Sequence, residues 1–415
     1  MFSSLPADEQ TLGNATYRIF NLPHHTASYY SLYRAARNHD GLRGSLHESW
    51  EWYLMRAANT TLRFGTPNVG VMDGTVFKLV LDAVREEAGE DAGGVWADVG
   101  DRIEANMRAR AKIFSQLPLP YTASEFAFDT VSQEEVVMWL MYFADEDEAY
   151  AGRANRTIAH VLSYMRSSPT WAYHGGSRSW GDLGNNGKWM VSCGTAANFE
   201  TRGNFHYRAG LNSIPLLEWY RRNPDELFVL EVGLGANAGT LMNIDERGAP
   251  SMMLHMLPHV MEYDPRSGDY GLGFFGHALE AGAYVVHDGG RWLCYLCDFL
   301  AAPGADVAAP VALAPRDSFM QRVFIEPLAL YVVLDGTGAF AGLRVDIGAG
   351  RIEVAFADGA GAARTFSTRR LRLEKTAPAR PGANFTLEGR PRAGLVRGAF
   401  EIPANLTAVT VVFDL

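Results

Sequence analysis

The feature that most constrains the fold is a change of hydrophobic period near Asp288. From Thr26 onward apolar residues recur every three or four positions, the spacing of helices with one buried face. Beyond Asp288 they come in short runs rich in β-branched and aromatic residues, broken by Gly- and Pro-containing turns, the pattern of strands. A helical stripe and a pleated strand bury their apolar atoms differently, so the chain is expected to form separate α and β parts. Its 415 residues give each part room for its own core.

The helical part begins with Tyr29, Leu32, Tyr33 and Ala36 on one face, Thr26 being a suitable N-cap. A second helix is predicted over 48–63, and a third after Asp73 through Val76, Leu79, Val80 and Val84. A fourth spans 96–117, where PLPY stops it, because proline cannot continue a helix. Ser132 followed three residues later by Glu135 reads as a capping box opening a fifth helix through Trp139 and Tyr142. Further helices are predicted over 147–166, 206–222, 225–242 and from 277 to about Val285. Successive helices joined by long polar loops point to an α/α toroid. An ordinary bundle gives the same helix count but needs only short connections.

The second part contains WLCYLCDFL, RVFIEPLALYVVL, AGLRVDIG, RIEVAFA, RTFSTRRLRLE, LVRGAFEI and LTAVTVVFDL, separated by turns such as DGTG and GAG. This predicts an antiparallel β-sandwich of about eight strands. The expected fold class is therefore α+β multidomain, an α/α toroid followed by a C-terminal antiparallel β-sandwich. The expected divisions are an irregular segment 1–22, a toroid 23–287 and a sandwich 288–415. Cys294 and Cys297 lie in an apolar strand-like run, where neighbouring side chains alternate between faces, so they read as core cysteines.

Chemistry concentrates in the loops. Residues 171–189, WAYHGGSRSWGDLGNNGKW, fit neither helix nor strand and hold three Trp among five Gly. Gly lets backbone approach a ligand closely. Flat aromatics beside donors and acceptors suit a neutral, hydroxyl-rich ligand such as a sugar, with Trp171, Tyr173, His174, Arg178, Trp180, Asp182 and Asn185 as candidate contacts. The competing reading is a structural loop pinned by buried rings. FHYRAGLN adds His206 and Tyr207, and YDPRSGDYGLGFFGH adds Tyr270 and His277, although its Asp-Pro and Ser-Gly-Asp steps are also ordinary turn chemistry.

Two carboxylates with opposed pKa pressures are what glycoside cleavage requires. Glu134 is not needed by the Ser132–Glu135 box, and a helix N-terminus would hold it ionised. Asp129, which follows the apolar Phe126 and Phe128, faces the opposite pressure. Asp264 and Asp269 are candidates for the second role. Acidic residues at a helix start are equally good helix design.

A net charge of −10 without any basic run argues against a nucleic-acid partner. No apolar segment approaches the roughly 18 to 20 residues that cross a bilayer. No HExxH, paired CxxC or carboxylate triad has metal-ligand spacing, EVGLGANAG lacks a phosphate-loop lysine, and there is no G-x-S-x-G elbow. Neither metal nor cofactor is expected. Met1 onward lacks a signal peptide. Sequons at Asn14, Asn59, Asn155, Asn384 and Asn405 nonetheless point to secretion of a longer natural form, with a cytoplasmic place left open.

EFAFDTVSQEEVVMW, YHGGSRSWGDLGNNGKW, HYRAGLNSIPLLEWYRRNPD, LMNID and YDPRSGDYGLGFFGHALEAGAYVV together resemble a large microbial domain family of uncharacterised function, itself similar to the six-hairpin glycosidases. The resemblance covers roughly residues 20 to 300. It implies a toroid of the six-hairpin kind with flanking β-sandwich and carbohydrate chemistry. Members are longer, with a β-rich region ahead of the toroid, and supply no catalytic pair to carry over. The expected activity is glycoside hydrolysis by a carboxylate pair. The alternatives are a polysaccharide lyase using Tyr or His, with Arg178, Arg202 or Arg208 neutralising a uronate, and a non-catalytic glycan-binding protein.

Overall fold

The computed structural model describes residues 19–39, 42, 44–65, 70–72, 74–89, 94–118, 132–164, 203–204, 206–244, 254–255, 270–336, 338–357, 368–376, 384–388, 395–396 and 399–414. Among these, nine α-helices and two large sheets make a mixed α+β protein. Its described residues fall into two compact units, 19–33 with 50–164, and 34–49 with 203–414. The division does not fall at the change of period. Helices after residue 203 group with the sheets.

The first unit holds most of α1 (Leu22–Asn38), then α2 (Trp50–Arg63), α3 (Thr75–Ala88), α4 (Val95–Gln116), α5 (Gln133–Tyr142) and α6 (Glu148–Tyr164). Their apolar stripes explain them. Val76, Phe77, Val80, Leu81 and Val84 give α3 one buried face, while Lys78 and Asp82 pair across a turn of its other face at 2.6 Å. From α2 to α6, helices consecutive in sequence pack on one another. The helix α5 is buried on nearly every side, so its residues Val136 to Met141 form the centre of this unit.

In the second unit, α7 (His206–Arg222) packs on α8 (Leu227–Gly239) and α9 (Tyr270–Glu280). A methyl on Gly233 would meet Leu217 at 2.8 Å, so the small residues of α8 do allow close approach to α7. The expected helix to Val285 is corrected. It begins at Tyr270, ends at Glu280, and β3 (Ala283–Asp288) follows, because the β-branched Val285 and Val286 favour a buried strand.

Strand β3 turns into β4 (Arg291–Tyr295) through Gly289 and Gly290, both at positive φ, which a tight two-residue hairpin requires. Then come β5 (Cys297–Phe299), β6 (Val311–Pro315), β7 (Arg322–Ile325), β8 (Leu330–Asp335), β9 (Ala339–Asp346), β10 (Arg351–Ala357), β11 (Thr368–Lys375), β12 (Asn384–Leu387), β13 (Leu395–Val396), β14 (Ala399–Pro403) and β15 (Ala408–Asp414). A separate ribbon pairs β1 (Gly203–Asn204) with β2 (Leu254–His255).

One sheet runs β12-β15-β10-β9-β6-β5 and the other β13-β14-β11-β8-β7-β3-β4. Residues of both sheets, among them Val285, Val332 and Leu371 of one and Leu313, Val345 and Val354 of the other, share a single apolar core. Among the described strands of these sheets the pairing is antiparallel except between β3 and β7, which run parallel. Cys294 and Cys297 are joined in a disulfide with their Cα atoms 5.4 Å apart, correcting their reading as separate core thiols. Leu296, at φ 54°, breaks the strand between them, so the alternation that would hold the sulfurs apart does not apply.

Candidate functional site

At the start of α5, two neighbouring glutamates point to different partners. Glu135 is wholly buried, and its two oxygens lie 2.7 and 2.6 Å from Nε and Nη2 of Arg110. It also accepts the Val71 amide at 2.8 Å. The Arg110 guanidinium lies over the rings of Phe64 and Phe114, at 3.9 and 5.0 Å from their centroids. The capping-box reading is thus corrected: the Ser132 side chain caps nothing, and Glu135 turns away to a buried cation.

Glu134 is also buried, and it serves a helix other than its own. Its Oε2 accepts the Gly74 amide at 2.5 Å and its Oε1 the Thr75 amide at 2.6 Å, with a further bond from the Thr75 hydroxyl. These are the first amides of α3, which the α-helix cannot satisfy internally, and a carboxylate is the acceptor favoured there. Both oxygens of the sequence-predicted acid/base candidate are therefore occupied by a cap. An added Cβ on Gly74 would overlap the Glu135 side chain, so glycine is what lets the two carboxylates sit this close to α3.

Polar groups are buried in the second unit as well. Arg221 donates from Nη1 to Glu280 at 2.6 Å and to the Tyr284 hydroxyl at 2.8 Å, and stacks over Tyr331 at 4.7 Å. Burial works against its charge, but Glu280 overcomes this and holds the guanidinium protonated. Burial likewise pushes the Tyr284 phenol up to about 12, so it is a donor or acceptor and not a base.

His277, a sequence-predicted sugar contact, is buried, with 6% of its surface exposed. Its Nδ1 lies 2.8 Å from the Asn237 carbonyl and its Nε2 2.9 Å from the Ser318 hydroxyl. It could bond a sugar only by releasing Ser318. Burial lowers its proton affinity, opposed by the Asn237 bond and by Asp317.

His206, Tyr207 and Tyr270 stand in the first turns of α7 and α9, but their side chains lie outside the described residues. Asp129, Asp264 and Asp269 also lie outside them, as do Trp171, Tyr173, His174, Arg178, Trp180, Asp182 and Asn185. Among the described residues, no group of His, Cys, Asp and Glu could hold a metal ion, and no helix is long and apolar enough to cross a membrane.

Sequence reasoning missed Arg110 and Arg221. Arg110 had a signal, since it continues the apolar stripe Val99, Ile103, Met107 and Phe114 of α4, where a charge has to be paired. Ser318 had none, because the chain position of a hydroxyl does not reveal a distant imidazole.

A solved structure described as a polysaccharide lyase is similar to this chain with a TM-score of 0.46 and 12% sequence identity, over 64% of this chain and 37% of that one. The chain thus spans little more than a third of that protein, and a likeness of this size carries no inference about chemistry. None of the curated proteins matches the chain. Residues 2–411 match a family of unknown function, DUF5695, and the chain belongs to that family.

Proposed function

We propose that the protein cleaves glycosidic bonds in a poly- or oligosaccharide, its helices forming an α/α toroid of the six-hairpin kind and its two sheets a β-sandwich. The observation that carries this reading is the 171–189 stretch, where Trp171, Trp180 and Trp189 alternate with donors and acceptors of both kinds. Consecutive packing of α2 to α6 and the single core shared by the two sheets support the architecture.

Hydrolysis needs an acid and a base or nucleophile, about 5 Å apart for retention and about 6.5 to 9.5 Å for inversion. Since Glu134 caps α3 and Glu135 pairs with Arg110, the roles pass to Asp129, Asp264 and Asp269. The same withdrawal favours a second reading, a lyase. There His206, Tyr207 or Tyr270 takes the C5 proton of a uronic acid while Arg178, Arg202 or Arg208 neutralises the carboxylate. Secretion is part of the proposal and is supported by the Cys294–Cys297 disulfide, a bond that persists in oxidising compartments.

The test is a glycan panel read together for reducing ends and for ultraviolet-absorbing unsaturated products, on wild type, Asp129→Asn, Asp264→Asn and Glu134→Gln. Reducing ends without absorbance, lost in an aspartate variant that still melts like wild type, is the outcome expected of a hydrolase. Absorbing product moves the chemistry to the Tyr and His set. Glu134→Gln is expected to lower the melting temperature and to leave turnover of the folded fraction in place. Glycan binding without turnover on every substrate would sink the enzyme reading.

A further inference from the structure

Ser318 lies on the exposed loop between β6 and β7, its hydroxyl 2.9 Å from Nε2 of the buried His277. The opposite ring nitrogen, Nδ1, lies 2.8 Å from the Asn237 main-chain carbonyl. A carbonyl only accepts, so Nδ1 carries the proton and the neutral ring turns its Nε2 lone pair toward the serine. Ser318 is then the donor. Burial keeps the imidazole below its ordinary 6.5, so this neutral form is the one present at neutral pH.

The surroundings hold the pair in place. Asp317 Oδ1 accepts the amides of Phe319 and Met320 at 3.0 and 2.8 Å, which fixes the loop that carries Ser318. Its other oxygen, Oδ2, is buried and has no hydrogen-bond partner among the described residues. The Asp317 charge favours the protonated ring, so it would stabilise the imidazolium that forms when Nε2 takes a proton. The ring of Phe319, 41% exposed and centred 6.0 Å from that of His277, offers an apolar surface beside the hydroxyl.

We propose that Ser318 and His277 form a nucleophile and general-base pair that removes an acyl group from an exposed carboxylic ester, such as an acylated hydroxyl. This activity is separate from glycosidic cleavage and does not rest on it. Nε2 takes the hydroxyl proton as Ser318 Oγ bonds to the ester carbonyl carbon. The bond from that carbon to the alcohol oxygen breaks, and the leaving oxygen takes the proton from Nε2. Water then attacks the acyl-serine by the same route, releasing a carboxylic acid and restoring Ser318.

Two measurements test it. Wild type, Ser318→Ala and His277→Gln are treated with p-nitrophenyl acetate and with a fluorophosphonate, and the adduct is mapped by peptide mass spectrometry. Expected is an adduct on Ser318, absent in Ser318→Ala and formed about 100-fold more slowly in His277→Gln. Labelling elsewhere, or none on folded wild type, overturns the proposal, as does a rate that His277→Gln leaves unchanged. Because His277 is buried and its variant could misfold, the imidazole tautomer of wild type is read independently by nitrogen-15 NMR. A proton on Nδ1 is required, and a neutral ring protonated on Nε2 refutes the pair.

Discussion

Removing Arg110 isolates what the polar knot at α5 is worth. Arg110→Met keeps much of the side-chain length against Phe64 and Phe114 while leaving the Glu135 carboxylate buried with its cation gone. Breaking a buried ion pair by deleting one partner costs about 3–5 kcal/mol, because the survivor is uncompensated. For a unit of this size that lowers its melting temperature by roughly 15 °C. Replacing both partners, Arg110→Met with Glu135→Leu, removes the stranded charge. It leaves the Val71 amide unpaired, at a cost of about 1–3 kcal/mol. The double variant is therefore expected to melt above Arg110→Met. Calorimetry of wild type, both singles and the double reads this directly, following the transition that the substitutions move. Additive losses in the double variant would refute the argument, since they would mean that each side chain stabilises through separate contacts.

Two further outcomes follow from packing and charge. Gly74→Ala places a methyl against the Glu135 side chain, and overpacking of this kind costs about 1–3 kcal/mol in urea titration; unchanged stability would mean that the carboxylates can move aside. Asp335 sits 2.7 Å from Arg34 and 3.1 Å from Arg372; burial alone would raise its pKa, but these arginines hold it down to about 2 from 3.8. A carboxyl depressed in the fold stabilises above its unfolded value and loses that stabilisation as pH falls through its folded one, here between about 4 and 2. The contribution is about 2 kcal/mol at neutral pH and about half of that at pH 3. Asp335→Asn is expected to cost this amount at pH 7 and about half as much at pH 3, and an equal cost at both would refute the assignment.

The elements that were legible in the sequence are those whose signal is local. Val76, Val80 and Val84 mark α3 at helical spacing, and DGTG and GAG mark turns in which Gly336, Gly338 and Gly350 take positive φ. What stayed hidden depends on distant partners. The segment VALAP of β6 is short and ends in proline, so it carries little strand pattern alone; it becomes a strand by pairing with β5 and β9. The parallel pairing of β3 with β7 joins residues some forty positions apart, and no local period records it.

The same distinction explains the reading of the carboxylates. Ser132 and Glu135 have the spacing of a capping box, which is a local pattern, yet a buried guanidinium twenty-five positions upstream outcompetes a local amide for Glu135. A charge-assisted, bidentate pair in a dry interior is stronger than a single bond to a backbone N–H. The expectation that a helix N-terminus would hold Glu134 ionised is sound as electrostatics, but the helix is α3 and not α5. Pattern thus places a carboxylate near a positive end, and only the fold decides which end it meets. A carboxylate whose two oxygens are both bonded to such an end is committed to the cap and held ionised there, so it is poorly placed to exchange a proton with a substrate.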